Sequence, residues 1–326
     1  MDKAIKEFVL KNEKLEIRFI NIGGAITHIL MPDKNGCIEN ITLAHKNLHD
    51  YIIAEPNYIG TLVGRIAGRV PYGKIKIDNK EYSLSINNNG HSLHGGISGF
   101  SMKAWDVEKI DDNKYSLKYF SEDGEEGYPG NLKITVTYTL KDNELIIEYY
   151  GTTDKPTAIN MTNHAYFNLS GGKELAQSHE LWLNSSSYLE ANELLMATGK
   201  LIPSKDTFMD FSAKKSIGKD FPENGYDNCV YLNEDRSLTE PVAILSHEES
   251  KRELVIFTDQ PAVVLYTDGS AEGSGETNYG KRQKFSGVCL ETQKPNLGAD
   301  GTFTEMYELK ANEAYTQKTI YQFNLI

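Results

Sequence analysis

Apolar and polar residues alternate with a period of two along most of this chain. Lys74-Ile-Lys-Ile-Asp-Asn-Lys-Glu-Tyr-Ser-Leu84 alternates on both sides of Asp78-Asn79, which predicts a hairpin. Lys133-Ile-Thr-Val-Thr-Tyr-Thr-Leu140, the polar break Lys141-Asp-Asn143 and Glu144-Leu-Ile-Ile-Glu-Tyr-Tyr150 repeat the pattern. Arg252-Glu-Leu-Val-Ile-Phe-Thr258, Ala262-Val-Val-Leu-Tyr266 and Thr319-Ile-Tyr-Gln-Phe-Asn324 predict further strands. Thr, Tyr, Ile, Val and Phe fill these runs, and their side chains suit a pleated surface. Helical spacing is scarce: residues 45–55 read as a short helix and residues 213–217 as a single turn. Neither alternates regularly with strands, which argues against a doubly wound βαβ fold. Closely spaced antiparallel strands instead predict an all-β sandwich or barrel. No repeat period and no Pro/Ser-rich linker divides the sequence, so one domain over residues 1–326 is expected.

Composition narrows the function classes. A formal net charge of -12 over 326 residues, with no dense Lys/Arg run, is the wrong sign for a nucleic-acid backbone. No apolar stretch approaches the ~20 residues that span a bilayer. Met1-Asp-Lys-Ala-Ile-Lys-Glu-Phe-Val-Leu lacks the apolar run and cleavage site of a signal peptide. Cys37, Cys229 and Cys289 are too few and too far apart for a disulfide framework or a Cys-x-x-Cys zinc spacing. A cytoplasmic location is therefore expected, with no nucleic-acid or membrane partner. The polar, Gly-rich stretch 268–280 reads as a mobile surface loop, with a lid as the alternative.

Three segments carry candidate chemistry. Asn160-Met-Thr-Asn-His164-Ala-Tyr-Phe-Asn-Leu-Ser170 sets His164 between the carboxamides of Asn163 and Asn168 and the rings of Tyr166 and Phe167. Such a setting suits a proton donor among hydroxyl-recognising groups, or a structural histidine bonded to Asn or Tyr. His94, in Ser-Leu-His-Gly-Gly, is either a turn histidine or a ligand contact where glycine lets the backbone come close. His91 and His94 form His-x-x-His, but on a Gly-rich loop with no Asp, Glu or Cys at ligand spacing, so no metal is expected. Glu291 follows the apolar run Val288-Cys-Leu290, which would bring its carboxylate out near the end of a buried strand. Burial there raises a carboxylate's pKa and strengthens it as a base; a salt-bridged surface Glu is the alternative. Arg65 and Arg69, four residues apart on an extended segment, would face one side and clamp hydroxyls or pair with acids. Asp227, in Gly-Tyr-Asp-Asn, suits hydroxyl acceptance or an Asx turn.

Gly-Arg-Ile-Ala-Gly-Arg69, Ser-Leu-His94-Gly-Gly, Asn-His164-Ala-Tyr-Phe-Asn-Leu, Gly-Tyr-Asp227 and Cys-Leu-Glu291-Thr-Gln occur in the order seen in aldose 1-epimerases, the galactose mutarotases. With the strands around them, nearly the whole chain resembles that family. The resemblance implies a β-supersandwich with an open polar sugar cleft and no cofactor or metal. Glu291 resembles the general base acting on the anomeric hydroxyl, and His164 the general acid that protonates the ring oxygen. His94, Arg69 and Asp227 resemble the sugar-binding residues. The implied partner is a free monosaccharide such as galactose or glucose, and the implied assembly a monomer or homodimer. Three positions depart from the pattern. Gly68 stands where many members carry Asn, Val264 where many carry Gln, and Pro295-Asn-Leu-Gly replaces Pro-Asp-Ala-x-Asn. A non-catalytic sugar-binding protein and a mutarotase for a pentose or disaccharide remain open. A glycoside hydrolase would want two carboxylates, and only Glu291 stands out.

Overall fold

The computed structural model describes residues 4–53, 58–269, 271 and 275–326. The alternating segments become antiparallel strands. Leu132–Lys141 and Glu144–Thr153 form one long hairpin, paired from Leu132↔Thr153 to Lys141↔Glu144. Leu132, Ile134, Val136, Tyr138 and Leu140 point inward and are buried, while Lys133 and Lys141 face solvent. The Lys74–Ile77 and Lys80–Ser83 strands turn through Asp78 and Asn79 at φ 48° and 61°. Two consecutive left-handed residues make a type I′ turn, whose twist matches that of a hairpin.

Three sheets organise the molecule. The largest runs Asp106–Asp111, Lys114–Ser121, Leu132–Lys141, Glu144–Thr153, Ala314–Leu325, Arg252–Thr258, Ala243–His247, Glu180–Leu183, Lys215–Ser216. The second orders Ala197–Pro203, Ser185–Ala191, Asp227–Leu232, Ala262–Tyr266 and Cys289–Gln293. Glu7–Lys11, Glu16–Ile20, Ile26–Pro32 and Ile38–Asn40 form the third. Val230, Leu232, Val263, Leu265 and Leu290 from the five-stranded sheet share one apolar cluster with Leu145, Ile147, Leu254, Ile256 and Tyr321 from the nine-stranded sheet. This cluster fixes register. A one-residue slip would expose those side chains, at roughly 1.5–3 kcal/mol each, and would drive the polar residues of the opposite face into the core.

The structure corrects three expectations about local elements. Residues 213–217 are not a helical turn, because Lys215–Ser216 is an edge strand paired with Glu180 and Leu181. A lone turn there would have left that backbone edge unpaired. Within 45–55 only Asp50–Ile53 is helical, and residues 54 and 55 lie outside the described residues. The last strand extends well past its predicted span, to Ala314–Leu325, because it has partners on both sides. Among the described residues no helix is long and apolar enough to cross a membrane.

Candidate functional site

The outer face of the five-stranded sheet forms the floor of a cleft of ≈ 1520 Å³. Strand alternation puts Cys289, Glu291 and Gln293 on that face and Leu290 and Thr292 on the core side. Glu291 is the central residue of Cys289–Gln293, not a residue near its end, because pairing with Ala262–Tyr266 continues through Gln293. Val264 lies beside Glu291, Tyr266 beside Cys289, and Asp227 beside Tyr266. Behind the floor, Thr292 Oγ1 is 2.6 Å from Thr319 Oγ1, and Gln317 Nε2 donates to the Thr292 carbonyl at 3.1 Å. These polar groups inside the core bolt the Glu291 strand to the large sheet.

The walls come from distant parts of the sequence. His164 follows Thr162–Asn163, which pairs with Leu62–Val63. Its backbone N–H donates to Thr61 O and its carbonyl accepts from Gly60 N–H, each at 2.9 Å. Arg69 opens a short strand paired with Ser92–Leu93, and His94 follows that strand. The turn beyond His94 needs glycine, because a Cβ on Gly95 would lie 1.8 Å from the Gly64 carbonyl oxygen. Glu291, His164, His94, Arg69 and Asp227 all line the same cleft.

Within it, His164 Nε2 stands 3.3 Å from Glu291 Oε1, with both side chains buried. Burial is the chief cause that pushes Glu291 well above the usual carboxylate range, and the Asp227 charge adds to it. Burial likewise pulls His164 down to about 3. The His164 ring lies nearly parallel to Tyr166, at 4.9 Å between centroids, and to Tyr58 at 6.0 Å. Its Nδ1 is 3.4 Å from Cys289 Sγ. Burial and the Glu291 charge raise that thiol far above its ordinary pKa, so it keeps a proton to donate. Which partner donates across that contact depends on the ring's tautomer, and Nε2 faces Glu291 in either one. The tautomer of His94 is fixed: Gly68 N–H donates to His94 Nδ1 at 3.1 Å. A backbone N–H only donates, so the neutral ring carries its proton on Nε2. Burial, with the neighbouring His164 and Arg69, holds His94 well below its ordinary pKa and therefore neutral. Both terminal nitrogens of Arg69 lie 3.4 Å from Asp227 Oδ2. Arg69 Nε, Glu291 Oε2 and Gln293 Oε1 are buried polar atoms with no partner among the described residues. One donor and two acceptors in one cleft suit a small polyhydroxylated molecule.

Several expectations from the sequence are corrected. Arg65 and Arg69 do not face one side, because Gly68 turns the backbone between them at φ 83°. Arg65 is buried away from the cleft, where it donates to Ser121, Glu122, Pro129 and Thr157. The carboxamides around His164 serve the fold, not a ligand. Asn163 Nδ2 donates to Gly60 O, and Asn168 Nδ2 donates to Glu174 O and Ser286 O. Phe167 belongs to the core, and of that motif's rings only Tyr166 lines the cleft. His91 accepts from Tyr72 N–H at 3.0 Å and does not line the cleft, so the His-x-x-His pair goes to separate partners. The 268–280 stretch is ordered at both ends. Asp268 is buried against Arg282, and Glu276–Thr277 pairs with Gly280–Lys281; residues 270 and 272–274 of that stretch lie outside the described residues. Cys289, Tyr58 and Asn296 are cleft neighbours that sequence reasoning missed. The period-two spacing from Glu291 was enough to find Cys289, whereas Tyr58 and Asn296 arrive through loops and left no signal.

Comparison with known proteins adds relatives to this geometry. A family model described as aldose 1-epimerase matches residues 6–322. The chain is 35% identical to the galactose mutarotase of Sus scrofa over 333 residues, spanning 99% of this chain and 95% of that protein. It is similar to a solved GalM/aldose epimerase homologue from C. elegans, with TM-score 0.90 and 27% identity over 99% of this chain and 100% of that one. The solved galactose 1-epimerase of Lactobacillus acidophilus gives TM-score 0.88 and 30% identity over 99% and 95% of the two chains.

Proposed function

The chain belongs to the aldose 1-epimerase family, and from that premise we propose that Glu291 and His164 interconvert the anomers of a free aldohexose, galactose or glucose, in this cleft. The observation that carries the assignment is the buried 3.3 Å approach of His164 Nε2 to Glu291 Oε1. Opening a cyclic hemiacetal requires a base at the anomeric hydroxyl and an acid at the ring oxygen, on opposite ends of one C–O bond. Glu291 takes the hydroxyl proton while His164 gives one to the ring oxygen, and the bond between C1 and that oxygen breaks. The open aldehyde turns about C1–C2, and reclosure returns both protons with the roles exchanged.

Proton bookkeeping supports a pair rather than two independent groups. A carboxylate with an imidazolium becomes a carboxylic acid with a neutral imidazole when the ring opens, and the pair carries the same charge in both. Burial favours the second pattern, so the open-chain intermediate meets the site in the form that low polarity prefers. His94, neutral and with Nε2–H free of the backbone, donates beside the ring oxygen. Arg69 and Asp227 hold remaining hydroxyls. The site draws on segments from Tyr58 to Asn296, so the chain works as one domain. Its three cysteines are unpaired, which suits a reducing cytoplasm.

Polarimetry of freshly dissolved α-D-galactose and α-D-glucose tests this reading. The protein is expected to accelerate the approach to the equilibrium rotation, and Glu291→Gln and His164→Asn to lose about 10²–10⁴-fold each. Near-normal turnover in either variant would remove that residue from the mechanism. Sugar binding with no change in rotation would make the protein a binding module.

A further inference from the structure

We propose that Gln293 and Asn296 form a hydroxyl-reading pair that sets which sugar the cleft accepts, with Gly68 as the gap that admits Asn296. This rests on the epimerase reading above. Gln293 shares the cleft face with Glu291 and is fully buried. Its Nε2 donates to the Lys294 carbonyl at 3.2 Å and to Asn296 Oδ1 at 2.9 Å. The Lys294 carbonyl fixes the orientation of the Gln293 amide, since the flipped form would set oxygen against oxygen there, and Asn296 then turns its Oδ1 toward Gln293 Nε2. Gln293 Oε1 is thereby turned away from both and has no partner among the described residues. Asn296 lines the cleft and spends its Oδ1 on Gln293, and its Nδ2 makes no bond to another described residue. Two amides joined in this way leave one acceptor and one donor. A sugar hydroxyl is the complementary group, because it donates one hydrogen bond and accepts another.

Gly68 makes the arrangement possible. A Cβ there would lie 2.7 Å from Asn296 Oδ1, and the residue's φ of 83° already disfavours a side chain. Gly68 also holds His94 at both ends, accepting from His94 N–H and donating to His94 Nδ1, each at 3.1 Å. Anything that displaces Asn296 through position 68 would therefore also disturb the sugar-facing histidine. Across the floor Val264 offers no polar group beside Glu291, so the amide pair supplements Arg69 and Asp227 in reading hydroxyls near the base.

Mutarotation of galactose and of its 2-, 3-, 4- and 6-deoxy analogues tests the proposal on the wild type and on Asn296→Ala and Asn296→Asp. The variants are expected to lose tenfold or more in kcat/KM on galactose and on every analogue but one. The analogue lacking the hydroxyl that is read should be handled alike by variant and wild type. Equal losses on all analogues, or no loss on any, would overturn the pair. Gly68→Asn alone is expected to impair activity by collision, and Gly68→Asn with Asn296→Gly to recover it by moving the carboxamide to the other wall. A double variant no better than Gly68→Asn would contradict the gap. The wild-type rotation curve on unmodified sugars separates this outcome from a failure of the epimerase reading.

Discussion

At the scale of single residues, the site trades stability for reactivity at Glu291. Its carboxyl has a folded pKa raised well above the unfolded value of about 4.3, by burial first and by Asp227 second. The unfolded chain therefore gives up that proton first, and the native state loses stability as pH rises from the ordinary carboxylate range toward the folded value. Glu291→Gln removes this titration. Its thermal midpoint is expected to match the wild type near pH 4 and to exceed it by at least about 2 °C at pH 7–8; a variant that melts earlier at pH 8 would contradict the burial argument. The same shifts set the pH profile of catalysis. With Glu291 raised and His164 lowered to about 3, the pair holds its single proton between the two shifted values, and His164 does not titrate in the ordinary imidazole range. The profile of kcat/KM is expected to show no inflection at the ordinary histidine value of about 6.5. A tenfold fall between pH 7 and pH 5.5 would mean that His164 titrates as an exposed imidazole.

At the scale of elements, strand alternation does most of the placing, and turns do the rest. Period two alone sets Cys289, Glu291 and Gln293 on one face, and it was legible from Val288-Cys-Leu-Glu-Thr-Gln in the sequence. The same rule misled at Arg65 and Arg69, because the segment between them is interrupted at Gly68. Turn glycines separate conformational need from space. Gly95 and Gly90 both adopt positive φ, at 91° and 84°. A Cβ on Gly95 would strike the Gly64 carbonyl, whereas nothing lies within 4 Å of one on Gly90. Gly90→Ala is expected to cost about 1–2 kcal/mol, the left-handed penalty by itself. Gly95→Ala should cost more than about 3 kcal/mol and displace His94 as well. Urea midpoints, with mutarotation as the second readout, compare them; equal midpoints would show that the close approach to Gly64 carries no weight.

At the scale of the whole molecule, charge and chemistry are separated. The chain carries a net charge of -12, yet the Glu291–His164 pair proposed to react is buried and a hexose is neutral. Long-range fields therefore neither steer the substrate nor tune the acid and base. The kcat/KM is expected to change less than about twofold between 50 mM and 500 mM NaCl, and a steep salt dependence would point to a charged substrate. By itself, the sequence determined the all-β class and the main hairpins, because period-two patterning is a property of contiguous residues, and the family resemblance its motifs carry named five residues that line the cleft. Only the tertiary structure decided that Glu291 sits mid-strand, that Arg65 serves the core while Arg69 serves the cleft, and that the carboxamides around His164 satisfy backbone. It also brought Asn296, with its neighbour Gln293, against Gly68 across more than two hundred residues of sequence. Burial, register and the partners of a polar group depend on segments remote in sequence, so a local pattern names the candidate residues but not what each one touches.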